Sequence, residues 1–200
     1  MQPVWLQTVF KLKKRNLKYG YSNIHQDLIN RSLEGDGIAQ SKLYMLYSKA
    51  MYNTCLRITN NEDDARDVLQ EAFISAYRNL GSYKGEAAFG AWLKRIVVNR
   101  ALNHLKRKQL EIDTLDIDTH DIALEDKYEE DDRGYSIERI REAIKKLPEG
   151  YRVVFSLYLL EGYDHQEIAD ILGITVSTSK SQYNRAKKKM RELLSEMNDD

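Results

Sequence analysis

One stretch divides this chain more sharply than any other feature. Residues 111–132 hold eleven acids and a single base, Lys127. They show no helical stripe and their like charges repel, so the segment reads as an extended linker, residues 111–134. Folding then takes place on either side of it, in two separate cores. The bland role of such a segment is a solvated tether. The sharper one is mimicry of nucleic acid, competing for basic surface or threading a basic channel. The formal net charge of zero hides the asymmetry: residues 1–110 carry 18 bases against 9 acids, and residues 133–200 carry 12 against 11. A basic body, an acidic tether and a mixed body bear on partners more than the total does.

Both bodies read as helical. Two prolines and ten glycines in 200 residues argue against a loop-rich β-fold. Residues 23–110 carry four amphipathic stripes at three-and-four spacing. Ser22–Glu34 has Ile24, Leu28, Ile29 and Leu33; Ile38–Thr59 has Leu43, Leu46, Tyr47, Ala50, Met51, Thr54 and Ile58. Glu62–Leu80 has Val68, Leu69, Ala72, Phe73, Ala76, Tyr77 and Leu80; Ala87–Lys108 has Phe89, Trp92, Leu93, Ile96 and Val97. Asn60-Asn61 ahead of Glu62-Asp63-Asp64 marks a helix start, and Gly81 a stop. Beyond the linker, residues 135–200 start at Ser136 as an N-cap, with a stripe of Ile137, Ile140, Ile144 and Leu147 ended by Pro148. A helix over Gly150–Glu161 follows, closed by Gly162. The fold class is all-α, two small helical domains joined by an acidic linker.

Several function classes fall away. Cys55 is the only cysteine, which excludes an intramolecular disulfide framework and a cysteine-rich zinc site. His25, His104, His120 and His165 are scattered without metal-ligand spacing, and Asp164-His165-Gln166-Glu167 is explained by helix capping; neither an enzyme nor a metal or other cofactor is implied. No run approaches the roughly 20 apolar residues of a bilayer span, and lysines interrupt the apolar N-terminus, so a cytoplasmic protein is expected.

Asp164–Met190 is the most informative segment. Asp164 is an N-cap with Glu167 three residues on, an aspartate version of the capping box. Ile168, Ala169, Ile171 and Leu172 form an apolar face, Gly173 supplies a left-handed turn, and Ile174 and Val176 plug it. A second helix starts near Ser177. This is the order of a helix-turn-helix. At 100° per residue, Tyr183, Ala186, Met190, Leu193 and Leu194 lie on one side of that helix. Ser177, Thr178, Lys180, Ser181, Asn184, Arg185 and Lys188 lie on the other. Residues 177–191 hold six bases and no acid. Short polar side chains first and bases later suit a helix N-terminus in a major groove, with the bases on phosphates.

The fourth helix of the first body carries a second cationic face. Residues 91–108 hold six bases and no acid, and Arg95, Asn99 and Lys106 fall on one stripe. Tyr83, Phe89 and Trp92 stand just upstream, and aromatics beside bases suit unstacked nucleic acid as well as duplex. Phe89 and Trp92 read first as core; Tyr83, in the Gly81–Gly90 loop, is freer.

At these residues the chain resembles a family. Asp64-Ala65-Arg66-Asp67-Val68-Leu69-Gln70-Glu71-Ala72-Phe73 and Phe89-Gly90-Ala91-Trp92-Leu93-Lys94-Arg95-Ile96 resemble the second conserved domain of bacterial sigma factors. Leu147-Pro148, Tyr151-Arg152-Val153-Val154-Phe155, Glu161-Gly162-Tyr163, Glu167-Ile168-Ala169 and Lys180-Ser181 resemble their fourth domain. With only these two domains and a linker, the chain is similar to the extracytoplasmic-function group of the sigma-70 family.

The resemblance implies that the chain binds core RNA polymerase, recognises the −10 and −35 promoter elements and directs initiation, without being an enzyme by itself. It implies docking on the polymerase clamp through Asp64, Asp67, Gln70 and Glu71. It implies capture of a flipped promoter base by the loop before the fourth helix, where Tyr83, Lys84 and Glu86 are candidates. Arg95, Asn99, Asn103, Lys106 and Arg107 would grip the duplex edge, and the helix-turn-helix would read the −35 element. Promoter DNA, core polymerase and an anti-sigma factor, often membrane-bound, are the implied partners of a monomer that takes no small-molecule substrate. The acidic segment agrees: its 22 residues, 111–132, span at most about 75 Å, and two turns of DNA about 70 Å.

The recognition helix departs from the family. Where the family usually has Gly-Thr-Val-Lys-Ser-Arg, this chain has Ser177-Thr178-Ser179-Lys180-Ser181-Gln182. Ser179 falls on the inner face, where valine would pack, and Gln182 lacks the cation. Residues 1–22 lie outside the resemblance and form a basic arm on phosphate or membrane, or a false start. The competing reading is a helix-turn-helix regulator that binds its site without polymerase.

Overall fold

The computed structural model describes residues 25–112 and 135–197, with side chains described to residue 108 in the first segment. Every regular element among them is helical. The expectations for the basic arm of residues 1–22 and for residues 113–134 of the linker lie outside the described residues. The described residues fall into two compact units, 25–112 and 135–197, and α-helix covers residues 111 and 112 of the expected linker.

The first unit contains α1 (Gln26–Leu33), α2 (Gly37–Thr59), α3 (Glu62–Arg78), a 3-10 turn (Leu80–Ser82) and α4 (Phe89–Ile112). Side chains fix its helix starts. Asp36 caps α2 by accepting from the Ile38 and Ala39 amides at 2.8 and 3.2 Å. Its other oxygen accepts from Arg31 at 2.9 and 2.6 Å, so the cap also ties α1 to α2. Asn60 closes α2 in the left-handed conformation, and Asn61 caps α3 through the Asp63 and Asp64 amides, each at 2.9 Å. The acids of the first α3 turn then face the positive end of the helix dipole.

Helices α2, α3 and α4 pack against one another around Leu43, Cys55, Ile58, Val68, Phe73, Leu93 and Val97. Ala65, Ala72 and Ala76 are buried on α3, where small side chains let neighbouring helices approach closely. Two expected core positions lie outside: Leu46 is 51% exposed and Ala50 is also exposed. Ala39 and Cys55 occupy the inner face beside the expected Met51. Leu33, on the α1 stripe, is half-exposed. Helix α3 ends at Arg78 and Asn79, earlier than the expected Leu80, and Gly81 sits inside the 3-10 turn that follows.

The second unit contains α5 (Ile137–Lys146), α6 (Glu149–Phe155), α7 (His165–Leu172) and α8 (Val176–Glu196). Ser136 caps α5, accepting from the Arg139 amide, and Leu147-Pro148 ends it. The long helix expected over Gly150–Glu161 is regular only to Phe155. From Ser156 to Glu161 it widens into a π-turn, closed by Gly162 at φ 87°. Ile140, Ile144, Leu147, Phe155, Leu159, Ala186, Met190 and Leu194 form the core. Arg152 is buried too and donates to the Leu147 carbonyl at 3.2 Å; burial lowers its pKa.

Candidate nucleic-acid interface

Helices α7 and α8 are joined by a turn held by a series of hydrogen bonds. Asp164 accepts from the Glu167 amide at 2.8 Å, and the Asp164 amide donates back to the Glu167 carboxylate at 2.8 Å. This reciprocal pair fixes the start of an eight-residue helix that would be marginal alone. Gly173 ends it at φ 71°, with its amide and that of Ile174 both on the Ala169 carbonyl. Thr175 caps α8 through the Thr178 amide at 3.0 Å. Ile168 and Ala169 are buried beneath the crossing.

The expected outward face of α8 divides in two. Ser177, Lys180, Asn184 and Lys188 are exposed; Thr178, Ser181 and Arg185 are partly covered. The Thr178 hydroxyl is engaged by Thr175 Oγ1 at 2.8 Å, which leaves it less available to a ligand. Ala186, Met190, Leu193 and Leu194 are buried, as the angular reading expects, and Tyr183 is partly so. The exposed first turn combines a positive dipole end and Lys180, a combination that favours an anionic, groove-shaped ligand.

Two residues that the sequence reading set aside prove to be linked. Ser179 has no solvent exposure, and its hydroxyl lies 2.9 Å from His165 Nδ1. The His165 ring stacks on Tyr158, with centroids 4.4 Å apart and planes 14° apart. Burial, then Lys180, lowers the His165 pKa against an opposing pull from Asp164. Gln182 reaches toward the start of α6: a Cβ on Gly150 would lie 3.2 Å from Gln182 Oε1. Both departures from the family pattern therefore involve packing against α6 and α7.

In the first unit, the polar residues of the α3 face are of two kinds. Asp67 and Gln70 are exposed. Asp64 is held by Lys108 Nζ at 2.7 Å and lies 3.3 Å from His104 Nε2. The bond to Lys108 holds the Asp64 carboxyl below the usual carboxylate range. Glu71 faces Arg107 at 3.7 Å, both about half-exposed. Two of the four expected docking residues are thus engaged by α4. Ile74, one turn beyond Gln70 and outside the α3 core stripe, is half-exposed; a search for polar docking residues passes over it.

Arg95, Asn99, Asn103, Lys106 and Arg107 are all exposed on α4. From Arg95 to Lys106 the stripe runs about 16 Å along the axis, close to five base-pair steps of duplex. Arg100 turns inward and donates to Ser75 Oγ at 3.1 Å, fastening α4 to α3.

The loop ahead of α4 is an aromatic corner. Tyr83 lies 5.6 Å from Phe89 and 5.4 Å from Trp92, and its hydroxyl donates to the Ala87 carbonyl at 2.7 Å. Tyr83 is therefore a shared wall of the corner and is less free than its loop position suggests. Phe89 is buried, whereas Trp92 is partly exposed. Lys84 and Glu86 are exposed at the tip, on either side of Gly85 at φ 74°. Among the described residues no helix is long and apolar enough to cross a membrane.

Comparison with known proteins adds to this geometry. Residues 43–111 match the family model "Sigma-70 region 2", and residues 137–190 match "Sigma-70, region 4". The chain is 32% identical to the RNA polymerase sigma-H factor of Pseudomonas aeruginosa, over 84% of this chain and 93% of that protein. It is 30% identical to the ECF RNA polymerase sigma factor SigW of Bacillus subtilis, over 84% and 96%. It is 33% identical to the ECF RNA polymerase sigma-E factor of Escherichia coli K12, over 81% and 90%. In fold it is similar to the sigma factor RpoE of Bartonella quintana, solved with the anti-sigma factor NepR. That match has TM-score 0.53 at 22% identity and covers 78% of this chain and 96% of that one. CnrH, solved with the cytosolic domain of CnrY, matches at TM-score 0.51 and 23% identity, over 88% and 98%.

Proposed function

The chain belongs to the sigma-70 family, in its extracytoplasmic-function group, and on that premise we propose how its residues divide the work of promoter recognition. It is a transcription initiation factor, not an enzyme by itself. Residues 23–110 serve as the domain that binds core RNA polymerase and recognises and melts the −10 element. Residues 135–200 read the −35 element, and residues 111–134 link them. The work places the protein in the cytoplasm, on the nucleoid through polymerase, with an anti-sigma factor as its regulatory partner.

The exposed part of the α3 face, Asp67 and Gln70 with Glu71 and Asp64 at its edge, docks on the polymerase clamp. Opposite charges across that contact speed and orient docking more than they add affinity. Lys84 and Glu86 flank the entrance for an unstacked promoter base, and Tyr83 and Trp92 give it an aromatic surface; stacking offsets part of the few kcal/mol that unstacking costs. Arg95, Asn99, Asn103, Lys106 and Arg107 hold the adjacent backbone. In the second domain Ser177, Thr178, Lys180 and Ser181 approach base edges, while Asn184, Arg185 and Lys188 follow the phosphates.

The observation that carries this reading is the pairing, in one chain, of an acidic α3 face beside a cationic α4 stripe with a capped helix-turn-helix whose second helix is cationic on its outer side. A regulator acting alone has no use for the first of these. The test is DNA binding with and without core polymerase. Protection of a two-element promoter only when both proteins are present supports the sigma-factor reading. Protection of a site by the chain alone, with no binding to core, would establish the regulator.

A further inference from the structure

A polar link stands at the crossing of the helix-turn-helix, where apolar packing is expected. Ser179 is fully buried on the inner side of α8, and a buried hydroxyl needs a partner. That partner is His165 Nδ1, 2.9 Å away on the first residue of α7. The histidine ring is itself held, stacked on Tyr158 of the π-turn at 4.4 Å with the edge of Tyr183 at 5.7 Å. The ring therefore connects the end of α6, the start of α7 and the first turns of α8.

We propose that His165 is a positioning residue for promoter reading, fixing the rotation of α8 about its own axis through the hydrogen bond to Ser179. This rests on the reading that α8 recognises the −35 element. Ser179 lies between Thr178 and Lys180, and Ser177 and Ser181 flank them, so the bond acts on the very turns that face DNA. A hydrogen bond is directional, whereas apolar contact is not. Tyr183, one turn on, packs on Tyr158 and Phe155 through non-directional contacts, and the fully buried Ala186 and Met190 begin only about 10 Å down the axis at 1.5 Å per residue. At a helix outer radius of roughly 6 Å, a rotation of about 10° moves a side-chain head by about 1 Å. That shift is enough to spoil a base-edge hydrogen bond. The charged groups near the ring are Asp164 and Lys180, and Tyr158 and Tyr183 face it. Burial favours the neutral imidazole, whose Nδ1 serves as donor or acceptor to the hydroxyl.

The test uses the full chain with its cognate core polymerase and a promoter set bearing single-base changes in the −35 element. The readout is the ratio of initial transcription rates on the parent and changed promoters. Asparagine places a polar atom near Nδ1, and phenylalanine keeps the stacked ring without one. His165→Phe and Ser179→Ala are each expected to lower the ratio about fivefold or more, and His165→Asn to stay within about twofold of the parent. The double variant His165→Phe/Ser179→Ala is expected to be no worse than either single variant, because both remove one interaction. Core binding should be unchanged in all of them. The proposal is overturned if His165→Phe keeps the ratio, if His165→Asn loses as much as phenylalanine does, or if the losses follow melting temperature alone. Lys180→Ala separates the two levels of failure. If it leaves the ratio unchanged, the reading of α8 fails and this inference with it. If it lowers the ratio while His165→Phe does not, only this inference fails.

Discussion

Replacing one acid of α3 and then its neighbour separates a structural carboxylate from an exposed one. Asp64 accepts from Lys108 at 2.7 Å, and its side chain is 19% exposed against 46% for the lysine. Exposed ion pairs contribute about 0.2–1 kcal/mol. The coverage of Asp64 places this pair at the upper end, about 1 kcal/mol once the half-exposed lysine is discounted for solvent screening. In a domain of this size about 1 kcal/mol shifts the melting temperature by roughly 4–8 °C. Asp67 is exposed, and its replacement should change stability by less than about 0.5 kcal/mol. The chain has two tryptophans, so a Trp5→Phe background leaves Trp92 to report the melting of the first unit by fluorescence. There Asp64→Asn is expected to melt several degrees below the parent, Asp67→Asn close to the parent, and both to bind core polymerase less well. The sign of the pH dependence follows from the lowered pKa of Asp64. Its contribution is fully present above the ordinary carboxylate range and disappears as pH falls through the lowered value. The gap between parent and Asp64→Asn should therefore narrow below about pH 4. Equal melting of the two variants at pH 7, or a gap that persists undiminished to low pH, would refute the ion-pair account.

Other perturbations test the turn and its helices. Gly173→Ala adds a Cβ that meets nothing within 4 Å, so its cost is purely that of the left-handed conformation at φ +71°. Denaturant unfolding should show a loss of about 1–2 kcal/mol, whereas Gly81→Ala, without a positive φ, should be nearly neutral. Asp164→Ala removes the capping box of an eight-residue helix and should cost about 1 kcal/mol, read as faster hydrogen exchange at the Glu167 and Ile168 amides. Lys180→Ala or Arg185→Ala should weaken promoter binding and lessen its salt dependence, with core binding intact; equal loss of both activities would remove the DNA-reading role from α8.

Much of this architecture is legible because single side chains announce it. Asn61, Ser136 and Asp164 cap the helices they precede, and Gly162 and Gly173 take the left-handed conformation at helix ends. The buried face of α8 follows from angle alone. Other features arise from contacts that spacing does not encode. Helix α2 meets α1, α3 and α4, so its buried surface is not one simple stripe, and Leu46 and Ala50 fall outside it. Asp36 reads as a loop residue until Arg31 is seen to clamp it. The π-turn closes through the Gly162 amide, which donates to the Leu157 carbonyl five residues back, with the Tyr163 amide on the same carbonyl at 3.0 Å, and nothing in residues 156–161 marks it. Among the candidate residues, charge and exposure on α4 and α8 were legible. The ties of Asp64 to Lys108 and of Ser179 to His165 span 44 and 14 residues and required the fold.

The central claim is that this chain confers promoter specificity on a polymerase that lacks it. Run-off transcription with cognate core polymerase, on the DNA upstream of the gene for this chain, measures that directly. The account predicts a discrete transcript that requires both the chain and core, and that disappears when either the −10 or the −35 element is replaced. A transcript independent of the chain, or no binding of core by the intact chain or by either domain alone, would contradict it.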